Sequence, residues 1–169
     1  MSLDSYANLK LAIADYLDRS DLTDQIDDFI DLAEARHKDE VRFRDLIVRE
    51  NLTISDRYTA FPTGFLEAQT IRLLTSPVTP LGHVQQDVMD SIRQESNGRP
   101  AYYTLHTTIE VDITPDQSYT GEVIYYQAVT ALSNSNTTNS ILTRAPGLYL
   151  FGALAEAAPF LMHDERVMM

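Results

Sequence analysis

The chain has 169 residues, of which 44% are hydrophobic, and this is the composition of a globular protein with a sizeable core. It contains no cysteine, so disulfides and thiolate chemistry are excluded. The formal net charge of −12 disfavours a groove that grips nucleic-acid phosphates, and it is compatible with plain solubility or with a wall past which DNA slides without binding.

Residues 1–45 are predicted to form two antiparallel amphipathic helices joined by a short turn. Apolar residues at helical spacing mark the buried face of the first helix: Tyr6, Leu9, Ile13, Tyr16 and Leu17. The predicted buried face of the second helix consists of Ile26, Phe29, Ile30, Ala33 and Val41. Four aspartates lie mostly on its opposite side, where they complement the helix dipole at its start: Asp24, Asp27, Asp28 and Asp31.

Residues 46–132 are predicted to be rich in β-strand, with a short helix at 83–96. The stretch LIVRENLTISDRYTAFP alternates apolar and polar residues, which is typical of a strand. Three further strands follow in hairpin order, in AYYTLHT, TIEVDITP and GEVIYYQAV. The short helix is predicted from Val84, Val88 and Ile92 at steps of four. This order indicates an α+β fold, in which the N-terminal antiparallel helix pair and a C-terminal helix pack with a small antiparallel β-sheet.

A polar loop is predicted at 133–145 and a C-terminal helix at 146–163, within one domain that spans residues 1–169. The apolar run from Leu148 has about fifteen residues, fewer than the roughly 20 of a membrane helix, so we expect a buried helix. Its buried side is predicted to carry Leu148, Phe151, Leu154, Ala155 and Ala158. Small residues at 152, 153 and 157 should allow close approach of the N-terminal helix pair. The polar loop is expected to be a mobile arm that reaches a neighbouring subunit.

The sequence shows no motif of an enzyme, a metal site or a signal peptide. Its histidines are far apart, and we expect the trio at 163–165, His-Asp-Glu, to be a solvated chain end. A glycosidase needs two facing carboxylates, and Glu50 and Glu110 are the candidates on predicted strands. Both alternate with apolar residues, so we expect them on the solvent-exposed face. We therefore expect no catalytic residue, no metal ligand and no cofactor.

Tyrosines concentrate on the predicted hairpins, and each Tyr-Tyr pair puts one ring on each face of its strand. The rings either cap a half-buried sheet or form a face that docks on a partner, where tyrosine is enriched. The candidate interface combines these rings with polar residues of the following loop: Tyr102, Tyr103, Tyr125, Tyr126, Asn136, Asn139 and Arg144.

Four stretches, taken in order, resemble the head-completion or head-to-tail adaptor proteins of tailed bacteriophages. The first is the helix pair, YLDRSDLTDQIDDFIDLAEARHKDEVR, and the second is FPTGFLE, similar to a Leu-Pro-x-Asp-Phe-Leu-Glu turn of that family. The third is NGRPAYYTLHTTIEVDITPDQSYTGEVIYYQAVTALS, similar to its Gly-x-Pro-x-x-Tyr strand, its hairpin and its Tyr-Tyr strand. The last is TNSILTRAPGLYLFGALAEAA, similar to the family's Pro-x-Leu-Tyr-Leu-Tyr-Gly-x-Leu run. The chain departs from the pattern at Thr63-Gly64, where the family has an acidic or polar residue.

The resemblance implies a structural virion protein that forms a ring of about twelve copies beneath the portal. Such a ring extends the DNA exit channel and docks the tail or the next connector, so its implied partners are the portal protein, a tail or connector protein and further copies of this chain. DNA would pass without specific binding, no membrane is involved, and the protein would be made in the bacterial host cytoplasm.

Two questions stay open at the level of the sequence. The acidic face of the second helix is a candidate for the channel wall, and a solvated outer face is the competing interpretation of Asp24, Asp27, Asp28 and Asp31. The alternative function is a carbohydrate-active hydrolase or glycan-binding module that uses the strand carboxylates and tyrosines.

Overall fold

A computed structural model of the protein describes residues 2–162, which divide into two compact units. Residues 2–42 and 129–162 form a helical unit, and Phe43–Ala128 forms a β-rich unit. The α+β class is confirmed. The expectation of one domain stays a prediction.

The described residues contain five α-helices: α1 (Tyr6–Leu17), α2 (Thr23–Glu40), α3 (Gln86–Ile92), α4 (Ser140–Arg144) and α5 (Pro146–Met162). They also contain ten strands: β1 (Ile47–Ile54), β2 (Tyr58–Thr59), β3 (Phe65–Leu73), β4 (Thr79–Pro80), β5 (Gly82–His83), β6 (Gln94–Gly98), β7 (Tyr102–Leu105), β8 (Ile109–Val111), β9 (Ile113–Pro115) and β10 (Tyr119–Gln127). The residue at position 163, predicted to end the last helix, lies outside the described part of the chain.

Helix α1 begins where the Ser5 hydroxyl accepts a hydrogen bond from the backbone N–H of Asn8, 3.3 Å away. It ends at Asp18, whose φ of 51° is left-handed and stops the helix. Its buried residues are Tyr6, Leu9, Ala12 and Ile13. The prediction that Tyr16 is buried was wrong: its ring is 64% exposed and stands edge-on to the exposed ring of Phe151, 6.4 Å away. Leu17, also predicted on this face, is half-buried.

Helix α2 buries four of the five predicted residues, Ile26, Phe29, Ile30 and Ala33. The fifth, Val41, lies just beyond the end of the helix and is half-buried. His37 takes its place on the buried face, one turn after Ala33. The helical spacing therefore predicted this face correctly up to its last turn.

Helix α5 packs on α2 and α1, as the sequence predicted, but with a different face. The buried residues are Tyr149, Leu150, Ala153 and Ala157, whereas Leu148, Phe151, Ala155 and Ala158 are exposed and Leu154 is half-buried. The reason is the small-residue stripe of α5, which consists of Gly152, Ala153 and Ala157. A Cβ placed on Gly152 would lie 3.2 Å from the Cβ of Ala33, so α5 and α2 approach too closely at this point for a larger side chain.

The segment predicted as a polar loop at 133–145 contains the short helix α4. Asn139 starts this helix, because its side-chain oxygen accepts a hydrogen bond from the Leu142 N–H at 2.9 Å. Ile141 and Leu142 are buried. Apolar burial and a capping residue thus turn the end of the expected loop into helix.

The β-rich unit contains a four-stranded sheet in the order β1-β10-β3-β4 and a second one in the order β2-β8-β7-β5. The predicted antiparallel hairpin of AYYTLHT with TIEVDITP is present as β7 with β8. The predicted hairpin of TIEVDITP with GEVIYYQAV was wrong, because β10 pairs antiparallel with β1 and β3 instead. Two pairs are parallel instead, β5 with β7 and β6 with β9, because segments outside the hairpins add at the edges. The core lies on residues of both sheets, including Ile54, Ile71, Ile109, Val123 and Tyr125.

The helix predicted at 83–96 is shorter than expected. Helix α3 ends at Ile92, and residues 94–98 form strand β6. Tertiary hydrogen bonds favour the strand, since the Gln94 N–H donates to the Asp112 carbonyl at 2.9 Å and the Gln94 carbonyl accepts from Arg57 at 2.6 Å. The buried residue of α3 is Met89, whereas Val88, which the spacing predicted to face inward, is exposed.

Candidate interaction surfaces

The acidic side of α2 is an exposed strip. Asp24, Asp28 and Asp31 are exposed and lie on one side of the helix at steps of four and three. Asp27 is half-buried instead and is bridged by Lys10, whose Nζ lies 2.8 Å from Oδ1. Burial, and then a hydrogen bond to Asp27, raises the pKa of Tyr6. Three of the four predicted carboxylates therefore face solvent, and the fourth belongs to the contact of α1 with α2.

The four candidate tyrosines of the hairpins divide between core and surface. Tyr102 is 45% exposed and Tyr126 is half-buried, whereas Tyr103 and Tyr125 are buried core residues. The interface role predicted for Tyr103 and Tyr125 is thereby corrected, because their rings pack inside the β-rich unit. The Tyr125 hydroxyl donates to Glu50 at 2.9 Å, and burial followed by this hydrogen bond raises the pKa of Tyr125 to about 12.

The polar loop is hydrogen-bonded to the helical unit, and its expected reach to a neighbouring subunit stays a prediction. The Tyr6 N–H donates to the Thr137 carbonyl at 2.7 Å, and the Asn136 side chain donates to the Ala131 carbonyl at 2.6 Å. Asn139 is engaged in capping α4. Arg144 is exposed at the end of that helix. The side chains of Asn136 and Asn139 thus stabilise the conformation of the loop.

A buried polar network links this loop to α2 and α5. The Glu34 carboxylate oxygen Oε1 accepts hydrogen bonds from the Leu132 N–H and from the Tyr149 hydroxyl, both at 2.8 Å. The Tyr149 hydroxyl in turn accepts from the Asn139 amide at 2.7 Å. Burial raises the pKa of Glu34 and of Tyr149. The His37 ring stands edge-on to Tyr149, with centroids 5.2 Å apart, and burial lowers the pKa of His37.

The two carboxylates weighed for hydrolysis have different surroundings. Glu50 is exposed, as expected, and binds the Tyr125 hydroxyl. The expectation for Glu110 was wrong: it is only 6% exposed, because Tyr58 of β2 pairs opposite it and Arg93 lies 3.7 Å from its Oε1. Glu50 lies on β1 and Glu110 on β8, which belong to different sheets. Both carboxylates have packing partners in this arrangement.

Among residues 2–162, no group of three His, Asp or Glu side chains is placed to hold a metal ion. The trio at 163–165 lies outside these residues. Likewise, none of the helices described is both long and apolar enough to cross a membrane.

A family model described as SU10 adaptor protein matches residues 4–169, almost the entire chain. The chain belongs to this SU10 adaptor protein family. The family consists of phage head–tail adaptors, so the resemblance to head-completion proteins is confirmed and the chain is a structural component of a phage virion. No curated protein matches the chain.

Membership of a structural adaptor family directs attention to the surfaces of the molecule. Sequence reasoning found the acidic strip, because helical spacing alone places three aspartates together. It missed the network of Glu34, His37 and Tyr149, since the hydrogen bond from Tyr149 to Glu34 joins residues 115 positions apart. The available signal was weak: a His and a Glu on the apolar side of an amphipathic helix.

Proposed function

We propose that copies of this adaptor assemble into a ring of about twelve beneath the portal, extend the DNA exit channel and dock the tail or the next connector. The observation that carries the proposal is the adaptor family match over residues 4–169. The partners in this proposal are the portal protein, a tail or connector protein and further copies of the same chain. The protein works by recognition and mechanical continuity, and it catalyses no reaction.

The charge distribution supports a role beside DNA in transit. Each copy carries a formal charge of −12, and Asp24, Asp28 and Asp31 form an exposed strip on α2. A wall of carboxylates repels the phosphates of the duplex, so DNA does not adhere as it passes. We place this strip on the channel side of the ring.

Imaging the purified virion by electron microscopy tests the position of the adaptor. We expect a ring of density directly below the portal into which both compact units fit, with α2 lining the channel. The same particles lacking this protein should lose that ring and lose the tail. If the protein is found elsewhere in the virion, or if tails attach in its absence, the proposal is wrong.

Charge reversal tests the channel side separately. Asp24→Lys, Asp28→Lys and Asp31→Lys, made together, should leave ring assembly intact and slow DNA release, because cations on the wall bind passing phosphates. Asp56→Lys, Asp87→Lys and Asp90→Lys, made together, give the same charge change on the β-rich unit. If the two triple variants release DNA at the same rate, the proposal that the strip lies on the channel wall is wrong.

A further inference from the structure

An aromatic ridge projects from the helical unit. Phe151 of α5 is 62% exposed and its ring stands edge-on to Tyr16 of α1, with centroids 6.4 Å apart. Leu148, one turn earlier on α5, is also exposed. Leu148 and Phe151 have the apolar helical spacing of a core face on α5, but the small-residue stripe of that helix packs toward the core instead. The aromatic ridge is thus an apolar face that residues 2–162 leave uncovered.

A hollow of about 330 Å³ lies on the same unit, between α1 and the start of α2. Residues of α1 that line it follow one helical face: Ala7, Lys10, Leu11 and Ala14. The α2 side contributes Thr23 and Ile26. Because two of the lining residues on α1 are alanines, there is room for a large side chain from outside. Leu11, at the edge of this hollow, is exposed.

The aromatic ridge and the hollow lie on different flanks of α1. Ala12 and Tyr16, four residues apart, line the side that meets Leu150 of α5. Ala7 and Ala14 lie on another side of the same helix, toward α2. One molecule therefore presents an apolar projection and an apolar recess that do not compete for the same surface. A projection that fits a recess elsewhere on the same molecule produces head-to-tail contacts, and these close into rings when the rotation permits.

We propose that the aromatic ridge of Tyr16, Leu148 and Phe151 docks into the α1–α2 hollow of the next copy of this chain, and that this contact joins neighbours in the ring. The inference rests on the proposed ring and adds the residues that hold it together. Apolar surface must carry the contact, since two copies that each carry −12 repel one another elsewhere.

The two cations at the rim of the hollow are already paired within the chain. The Lys10 Nζ lies 2.8 Å from the Asp27 Oδ1, and the Arg19 Nε lies 2.7 Å from the Asp21 Oδ1. Apolar contact, and not a new ion pair, must therefore hold this occupant. The exposed parts of the three ridge side chains and Leu11 amount to roughly 400 Å² of apolar surface, enough for the centre of an interface of about 1,000 Å².

Cysteine cross-linking tests the pairing directly, because the native chain has no cysteine. Ala155 is exposed one turn after Phe151 on α5, so a cysteine there keeps every side chain of the aromatic ridge. Full-length Ala14→Cys and Ala155→Cys variants are mixed with wild-type portal protein and oxidised. We expect a disulfide-linked pair that contains one chain of each variant, and little product from either variant alone. A ring that forms without this product overturns the inference and leaves the ring itself standing. Abundant Ala155→Cys self-pairing also overturns it, because that indicates a two-fold contact.

A second pair of variants gives an independent readout. Ala14→Trp fills the hollow and Phe151→Ala removes the projection, and each should lower the yield of rings on the portal at least tenfold while the free chain stays folded by circular dichroism. Val88→Ala, at an exposed apolar position of the β-rich unit, is the matched control and should assemble normally. Normal assembly of both test variants contradicts the inference. Failure of the unmodified chain to form any ring overturns the proposed function as well.

Discussion

At the scale of single residues, the buried hydroxyl of Tyr149 holds the polar network together. It donates to Glu34 and accepts from Asn139, so Tyr149→Phe leaves a half-buried carboxylate and a half-buried amide each short of one partner. We expect the free energy of unfolding to fall by about 1–3 kcal/mol. Denaturant titration followed by circular dichroism measures this change.

The matched control is Tyr102→Phe, which removes a hydroxyl from an exposed ring. That variant should unfold within about 0.5 kcal/mol of the parent. If both substitutions have the same effect, the network contributes no more than a surface hydroxyl and its structural role is refuted.

His37 gives the helical unit a pH dependence with a definite sign. Because burial lowers its pKa from 6.5, the folded state favours the neutral imidazole. Its contribution to stability is complete above pH 6.5 and is lost as the pH falls through the lowered pKa, because the unfolded chain takes up the proton first. When the pH is lowered from about 7.5 to about 5.5, the free energy of unfolding of His37→Phe should therefore fall less than that of the parent.

The control for this measurement is His106→Gln, a substitution at an exposed position. It should keep the pH dependence of the parent. Glu34 titrates in all three proteins, so its contribution largely cancels in the comparison. Parallel pH profiles for the parent and His37→Phe would contradict the burial of a neutral imidazole.

At the scale of elements, the close approach of α5 to α2 depends on Gly152. A Cβ there would lie 3.2 Å from both the Ala33 Cβ and the His37 Nε2, and a branched side chain would push the helices apart. We expect Gly152→Val to lower the free energy of unfolding by about 1–3 kcal/mol.

Gly147 on the same helix provides the comparison, since a Cβ there makes an ordinary 3.7 Å contact with the Phe151 ring. In the same measurement, Gly147→Val should lower the free energy of unfolding clearly less than Gly152→Val does. A larger loss for Gly147→Val than for Gly152→Val would show that the tight packing of α5 on α2 is not where the structure places it.

The polar loop before α5 is expected to resist proteolysis in the free protein. Its backbone is fastened to the helices through Glu34 and Tyr6, so a protease cannot extend it without breaking those bonds. Glu34→Ala should make residues 129–139 cleavable, as mass spectrometry of the fragments will show. Rapid cleavage of the parent at the same site would show that the loop is mobile in the free protein, as the sequence alone predicted.

These elements show how much of the fold could be predicted from the sequence alone. Helical spacing predicted α1 and α2 and the buried face of α2, because each helix is amphipathic over several turns. For α5 the same rule selected the wrong face, because the helix is apolar almost all round and small residues decide which side packs. The end of α3 and the strand after it could not be predicted, since the bonds that fix Gln94 come from Arg57 and Asp112, distant in sequence.

At the scale of the whole molecule, the predicted α+β class and the resemblance to phage adaptors were both correct. The candidate surfaces were only partly predictable. The acidic strip follows from spacing along one helix. The division of the tyrosines into core and surface depends on the register of four strands, and the uncovered aromatic ridge depends on which face of α5 is buried.

The central claim is assembly of this chain into a ring on the portal, and the mass of the protein in solution tests it most directly. The chain should be monomeric or weakly associated by itself and should form one closed complex of about twelve copies when portal protein is added. The same measurement on Phe151→Ala should show the portal alone with little adaptor bound. A tight dimer whose mass is unchanged by portal would contradict the account.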